Sequence, residues 1–145
     1  MAVIARVFGE PKGQPRVKAF SRGGHAGVYT PNTADDWKSC IRLAFREIAF
    51  RAEKDWPLSV TVTIMFRRPA SHFGKRGLRP AAPRFYTKKP DNDNAEKAVL
   101  DQMTDLGILN DDAQIVHNET WKYWCQEGEA PGAVIEIKRL DQEEA

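Results

Sequence analysis

The chain has 145 residues, 41% of them hydrophobic, with four Trp, seven Phe and three Tyr, which suffices for one domain with a packed core and argues against wholesale disorder. No run approaches the roughly 18 apolar residues of a membrane span, and the opening MAVIARVFGEPKG lacks the apolar stretch of a secretory signal. The net charge of +2 is small, and two Cys, at 40 and 125, make neither a disulfide framework nor a zinc spacing, so packed, reduced thiols and a cytoplasmic location are expected.

Residues 2–8 (AVIARVF) read as a short strand. Residues 11–31 carry four Lys/Arg and no acid, are rich in Gly and Pro, and read as a loop. Thr33 is positioned to cap a helix, with Asp36 three residues on. Trp37, Ile41, Ala44, Phe45, Ile48 and Ala52 then fall at helical spacing, which predicts a helix over 34–53 with that stripe in the core. Leu58, Val60, Val62, Ile64 and Phe66 alternate as a strand. Residues 67–89 carry eight Lys/Arg and no acid and again read as a loop. A second helix is expected over 94–105, ended by Gly107, with Ala95, Val99, Gln102, Met103 and Leu106 on one face. Strands over 115–124 and 133–140 complete the chain. The expected fold class is α+β, a small mixed β-sheet with two main helices packed on it in the order β-α-β-loop-α-β-β. Residues 1–140 form a single domain in this reading, and 141–145 (DQEEA) an acidic tail.

The two basic segments hold twelve of the 22 Lys/Arg and none of the 20 acids, so the remainder of the chain carries a net charge of −10. A solvated, solubilising face is the bland reading of such a run. The complete absence of acid over 67–89 favours nucleic acid, because cations displace phosphate counterions and the interleaved Phe20, Tyr29, Phe73, Phe85 and Tyr86 can stack on bases. The candidate DNA-binding residues are Lys12, Arg16, Lys18, Arg67, Arg68, Lys75, Arg76, Arg79, Arg84, Lys88 and Lys89.

The stretch KPDNDNAEKAVLDQMTDLGILNDDAQIV, residues 89–116, carries the chemistry. Asp91 and Asp93 stand two apart after Pro90, and in an extended segment such residues point the same way. Asp111 and Asp112 follow the second helix and reach the first pair if the chain doubles back into the strand from Ile115. Converging carboxylates either share a proton or bind a hard divalent cation such as Mg²⁺, which would polarise a phosphodiester and acidify a bound water. Lys97, one turn after Asp93, could then steady charge on the phosphate. Taken singly, each group has a plainer reading: a cap, an i,i+4 ion pair or a turn residue. An EF-hand is excluded by Glu96 and Gln102 at its sixth and twelfth positions.

The run KPDNDNAEKAVLD followed by LGILNDDAQIV resembles the RusA family of Holliday junction resolvases, whose pattern is D-x-D-N-x-x-K-x-x-x-D and then D-D-x-Q-(I/V). GEPKGQPRVKAF and YTPNTADDW are similar to that family's N-terminal region. The resemblance covers most of the chain and is most specific over 89–116. It implies a dimeric endonuclease, dependent on Mg²⁺ with Mn²⁺ as the alternative, that cuts four-way DNA junctions by symmetric nicks in recombination and repair. Members are frequently carried by phages and prophages. Matched by position, the catalytic and metal-binding carboxylates fall on Asp91, Asp93 and Asp112, and the essential lysine on Lys97. Asp111 and Asp101 receive supporting roles. The implied partners are junction DNA and a second copy of the chain, with no membrane and no small-molecule cofactor. The dimer would meet through edge strands or Trp121, Tyr123 and Trp124, whose burial in the core is an equal alternative. The competing functions are a non-catalytic DNA-binding module and a nuclease acting on flaps or forks.

Overall fold

A computed structural model describes residues 2–141, so the acidic tail expected at the C-terminus falls outside the described residues from 142 onward. The chain runs through strand β1 (Ala2–Phe8), a hairpin of β2 (Lys18–Arg22) and β3 (His25–Tyr29), helix α1 (Asp35–Phe45) and strand β4 (Leu58–Phe66). A small hairpin, β5 (Phe73–Gly74) and β6 (Gly77–Leu78), precedes helix α2 (Asn92–Asp105), then β7 (Ile115–Trp124) and β8 (Gly132–Arg139). The main sheet has the order β1-β8-β4-β7. β8 pairs antiparallel with both β1 and β4, whereas β4 and β7 are parallel. A parallel pair requires a crossover, and α2 lies on it. The α+β mixed sheet with two helices is the architecture read from the sequence.

Period-two patterning selects the core. On β4, Leu58, Val60, Val62 and Ile64 are fully buried while Ser59, Thr61 and Thr63 are half-buried on the other face. The buried set meets Val7 of β1 and Ile135 and Ile137 of β8. Trp37, Ile41 and Phe45 of α1, and Ala95, Ala98, Val99 and Met103 of α2, close over that face to form one cluster. Fully burying each of the large side chains contributes about 1.5–3 kcal/mol.

Helix α1 ends at Phe45, with Arg46 as its C-cap, rather than running to residue 53. Ile48 and Ala52 still reach the core, but from a loop: the Ala52 N–H donates to the Ile108 carbonyl at 2.9 Å. The helical spacing had counted loop residues that arrive by a separate route. Ala34, not Thr33, is the N-cap, without a side-chain capping bond, while Asp35 and Asp36 in the first turn complement the helix dipole. The first basic segment is not wholly a loop. Its β2–β3 hairpin turns on Gly23 and Gly24, both at positive φ (58° and 81°), the backbone a two-residue hairpin demands. Every residue of both strands but Gly27 is exposed, so no inside-outside alternation marked them. The second basic segment contains a 3₁₀ turn (Ala70–His72) and the β5–β6 hairpin. Among the described residues no helix is long and apolar enough to cross a membrane.

Candidate active site

Helix α2 divides its faces cleanly. Ala95, Ala98, Val99, Gln102 and Met103 are buried against the sheet. Asp93, Glu96, Lys97, Leu100 and Asp101, spaced by three and four, form another face. That face lines a cleft of about 530 Å³ with Asn92, with Asp112 from the turn before β7, and with Asn118 and Thr120 of β7. The chain thus doubles back as expected, and Asp93, Lys97, Asp101 and Asp112 come to one place. The Lys97 Nζ stands 3.5 Å from Asp101 Oδ1 rather than pairing with Asp93.

Asp91 does not line this cleft. It is the N-cap of α2 in extended conformation (φ −64°, ψ 158°), whereas Asp93 is already helical, because the helix begins at Asn92, two residues before the expected start. The extended-chain argument for a common direction therefore fails, since positions i and i+2 diverge where a helix starts between them. Among the described residues no three His, Cys, Asp or Glu side chains draw close enough to hold a metal ion. Asp93, Asp112 and the amides of Asn92 and Asn118 nevertheless line one cleft, and their oxygens are hard donors. Such a set fits Mg²⁺, which commonly bonds one or two carboxylates and keeps several waters.

The inward face of β7 ties the start of α2 in place. Glu96 accepts 2.6 Å hydrogen bonds from Asn118 Nδ2 and Thr120 Oγ1. Asn92 Nδ2 donates to the Thr120 carbonyl at 3.1 Å, and Lys122 Nζ donates to the carbonyls of Pro90 (2.7 Å) and Lys88 (3.0 Å). From the opposite side, Gln14 N–H donates to the Asn94 carbonyl at 2.9 Å. A Cβ at Gly13 would come within 2.6 Å of Pro90, so glycine permits this close approach. None of Glu96, Asn118, Thr120 and Lys122 was given a part in the site from the sequence: Asn118 and Thr120 stood out only as a glycosylation sequon without meaning in a chain not expected to be secreted, and Glu96 only as a departure from an EF-hand. The available signal was a polar residue at every second position of β7 on the face turned toward α2.

Asp111 caps the 3₁₀ turn Asp112–Gln114. Its carboxylate accepts from Ala113 N–H at 2.8 Å, and Gln114 Oε1 accepts from the N–H groups of Asn110 (2.8 Å) and Asp111 (3.1 Å). The bond from Ala113, then one with the Asp112 side chain, holds the Asp111 carboxyl below its ordinary value. Gln114 Nε2 donates to the Glu53 carbonyl at 2.6 Å. Asp111 lines a different hollow, beside Lys54 and Trp56, so its part is to shape the turn that presents Asp112.

A larger cavity, about 800 Å³, opens on the other side of the α2 N-terminus. Lys12, Arg16, Lys18, Arg67, Arg68, Lys88 and Lys89 line it, and Glu10, bonded to Arg67 at 2.6 Å, is its single carboxylate. The lining also takes in Phe66, Tyr86 and Trp124, with Tyr86 stacked on Phe66 at 3.7 Å and meeting Trp124 edge-on at 4.7 Å. Desolvation, then the nearby Arg68 and Lys88, push the His72 imidazole below its ordinary value. The remaining candidates lie elsewhere. Lys75 and Arg76 occupy the β5–β6 turn, Arg79 follows β6, and Arg84 lies over the Phe85 and Tyr123 rings. Of the proposed interface aromatics, Trp124 is core and Trp121 is exposed. Both cysteines are free; Cys125 is buried, which raises its thiol above the ordinary value, and Cys40 is half-buried.

Pro90 and Asn94 face the basic cavity while Asn92 and Asp93 face the acidic cleft, so the first turn of α2 is their common wall. A family model described as endodeoxyribonuclease RusA matches residues 9–138, a span that contains every element of both sites. No curated protein matches the chain.

Proposed function

The chain belongs to the RusA endodeoxyribonuclease family, and from that premise we propose that it is a divalent-metal-dependent endonuclease that resolves four-way DNA junctions by symmetric phosphodiester hydrolysis. The observation that carries this reading is the shared wall: a cation-lined cavity and a carboxylate-lined cleft meet across the first turn of α2. Duplex DNA gripped by Lys12, Arg16, Lys18, Lys88 and Lys89 would run its backbone past that turn. Asp93 and Asp112 would hold Mg²⁺ or Mn²⁺, with Asp91 able to join if its side chain turns about the N-cap. When bound, the cation supplies polarisation of a phosphoryl oxygen and acidification of a water. Lys97, held by Asp101, faces the same cleft and would neutralise charge gathering on the phosphate. The acidic cleft repels the backbone until a cation occupies it, so binding and cutting are separable. Paired nicks across a two-fold symmetric substrate call for two such sites, hence a homodimer.

The test uses synthetic four-way, three-way, flap and linear duplex substrates, each with and without Mg²⁺. Paired nicks in the four-way substrate alone, with Mg²⁺ only, are expected. Preferential cutting of flaps would assign the fork-nuclease alternative, and tight binding with no cutting under any divalent cation would assign the non-catalytic module.

A further inference from the structure

The cleft side chains of the proposed nuclease have a support whose residues no role yet covers. Positions 118, 120 and 122 of β7 share one strand face, and on a strand packed beneath a helix that face should be apolar. Here all three are polar, and each is spent on the segment that carries Asp91, Asp93 and Lys97. Glu96 takes two 2.6 Å bonds, one from each of two neighbouring strand positions. That fixes both the height and the rotation of the first helical turn against the strand. Lys122 bonds the carbonyls at 88 and 90 and lies over the Tyr86 ring at 5.4 Å, which fixes the chain just upstream. Because β7 leads directly from the turn holding Asp112, the same strand registers both carboxylates of the cleft.

We propose that Glu96 and Lys122 are positioning residues that set the separation of Asp93 from Asp112 by pinning the start of α2 to β7. Glu96 is no metal donor here, since both of its oxygens are committed to Asn118 and Thr120. The inference rests on the nuclease reading for its activity arm and stands on its own in its exchange arm.

The test compares Glu96→Ala, Glu96→Gln and Lys122→Met with the unmodified chain. In metal-free protein, hydrogen exchange should rise over residues 88–97 in Glu96→Ala and Lys122→Met while β4 and β8 keep their protection. Single-turnover junction cleavage should fall by roughly 10–100-fold, the range seen when groups that orient metal ligands are removed. The Mg²⁺ concentration for half-maximal cleavage should rise, with junction Kd held within about threefold. Glu96→Gln retains an acceptor oxygen and should recover most of the loss. Exchange that is unchanged over 88–97, or raised equally in β4 and β8, overturns the proposal. So does a cleavage loss that Glu96→Gln does not relieve. An unmodified chain that binds junctions but cuts none with Mg²⁺ or Mn²⁺ instead rejects the nuclease reading, and the exchange result then still decides whether the two residues pin the segment.

Discussion

Asp93, in the first turn of α2, and Asp112, in the turn that launches β7, line one cleft although nearly all of α2 lies between them in the chain. The parallel pairing of β4 with β7 brings this about, since it obliges the chain to cross over and return beside the helix it has just made.

If that pair holds the divalent cation, Asp93→Asn and Asp112→Asn should each abolish junction cleavage. Binding should stay equal or tighten, because a charge that repels phosphate is gone. Gel-shift and cleavage assays on the same preparations measure both. Markedly weaker binding by either variant would mark its aspartate as structural.

Lys97 and Asp101 form an exposed i,i+4 pair, worth at most about 0.5 kcal/mol to the fold. Their substitution should therefore separate stability from activity. Lys97→Ala should lose roughly 100-fold in cleavage, the loss typical of removing one transition-state donor. Asp101→Asn should lose only a few-fold. Urea unfolding midpoints of both should match the parent protein.

Junction binding should weaken steeply with salt. Neutralising Lys12 or Lys88 should lower the slope of log K against log[salt] by about one each and weaken duplex and junction alike. Lys75→Ala, in the β5–β6 turn away from the cavity, should leave the slope unchanged. An equal effect of Lys75 would move the interface onto that hairpin.

Gln114 is buried and satisfies four backbone groups, the N–H groups of Asn110 and Asp111 and the carbonyls of Glu53 and Trp56. Gln114→Ala strands them and should cost about 2–3 kcal/mol by urea unfolding. Cleavage should fall with it, since Asp112 sits in the turn that Gln114 closes. A cost below about 0.5 kcal/mol would mean that water replaces the side chain without penalty.

The Asp111 carboxyl is lowered in the folded chain by the Ala113 N–H and by Asp112. A group with a depressed folded value contributes stability above its ordinary value and loses it as pH falls through the folded one. Asp111 should thus add to acid destabilisation beginning as pH drops through the carboxylate range. Asp111→Asn, which keeps an acceptor for Ala113, should flatten that limb of stability against pH.

Much of the sheet was legible because β4, β7 and β8 carry strand patterns long enough to count, and because Gly107 (φ 76°) ends α2 where glycine should. The hairpin β2–β3 was hidden, since strands exposed on both faces show no alternation. The end of α1 was hidden because Ile48 and Ala52 keep a helical rhythm while bonding as loop residues. At the site, chemistry-bearing types in a tight pattern pointed to Asp93, Lys97 and Asp112. Glu96 and Lys122 escaped, because their hydrogen-bond partners lie between 22 and 34 positions away along the chain. The common direction expected of Asp91 and Asp93 was missed for a local reason: the helix starts between them.

The most direct test is single-turnover cleavage of a synthetic four-way junction by metal-stripped protein, begun by adding Mg²⁺. Bound but intact DNA is expected beforehand, paired nicks afterwards, and no nicks at any time with Asp112→Asn. Cutting at full rate by the stripped protein, or by that variant, contradicts metal-dependent cleavage at the cleft of Asp93 and Asp112.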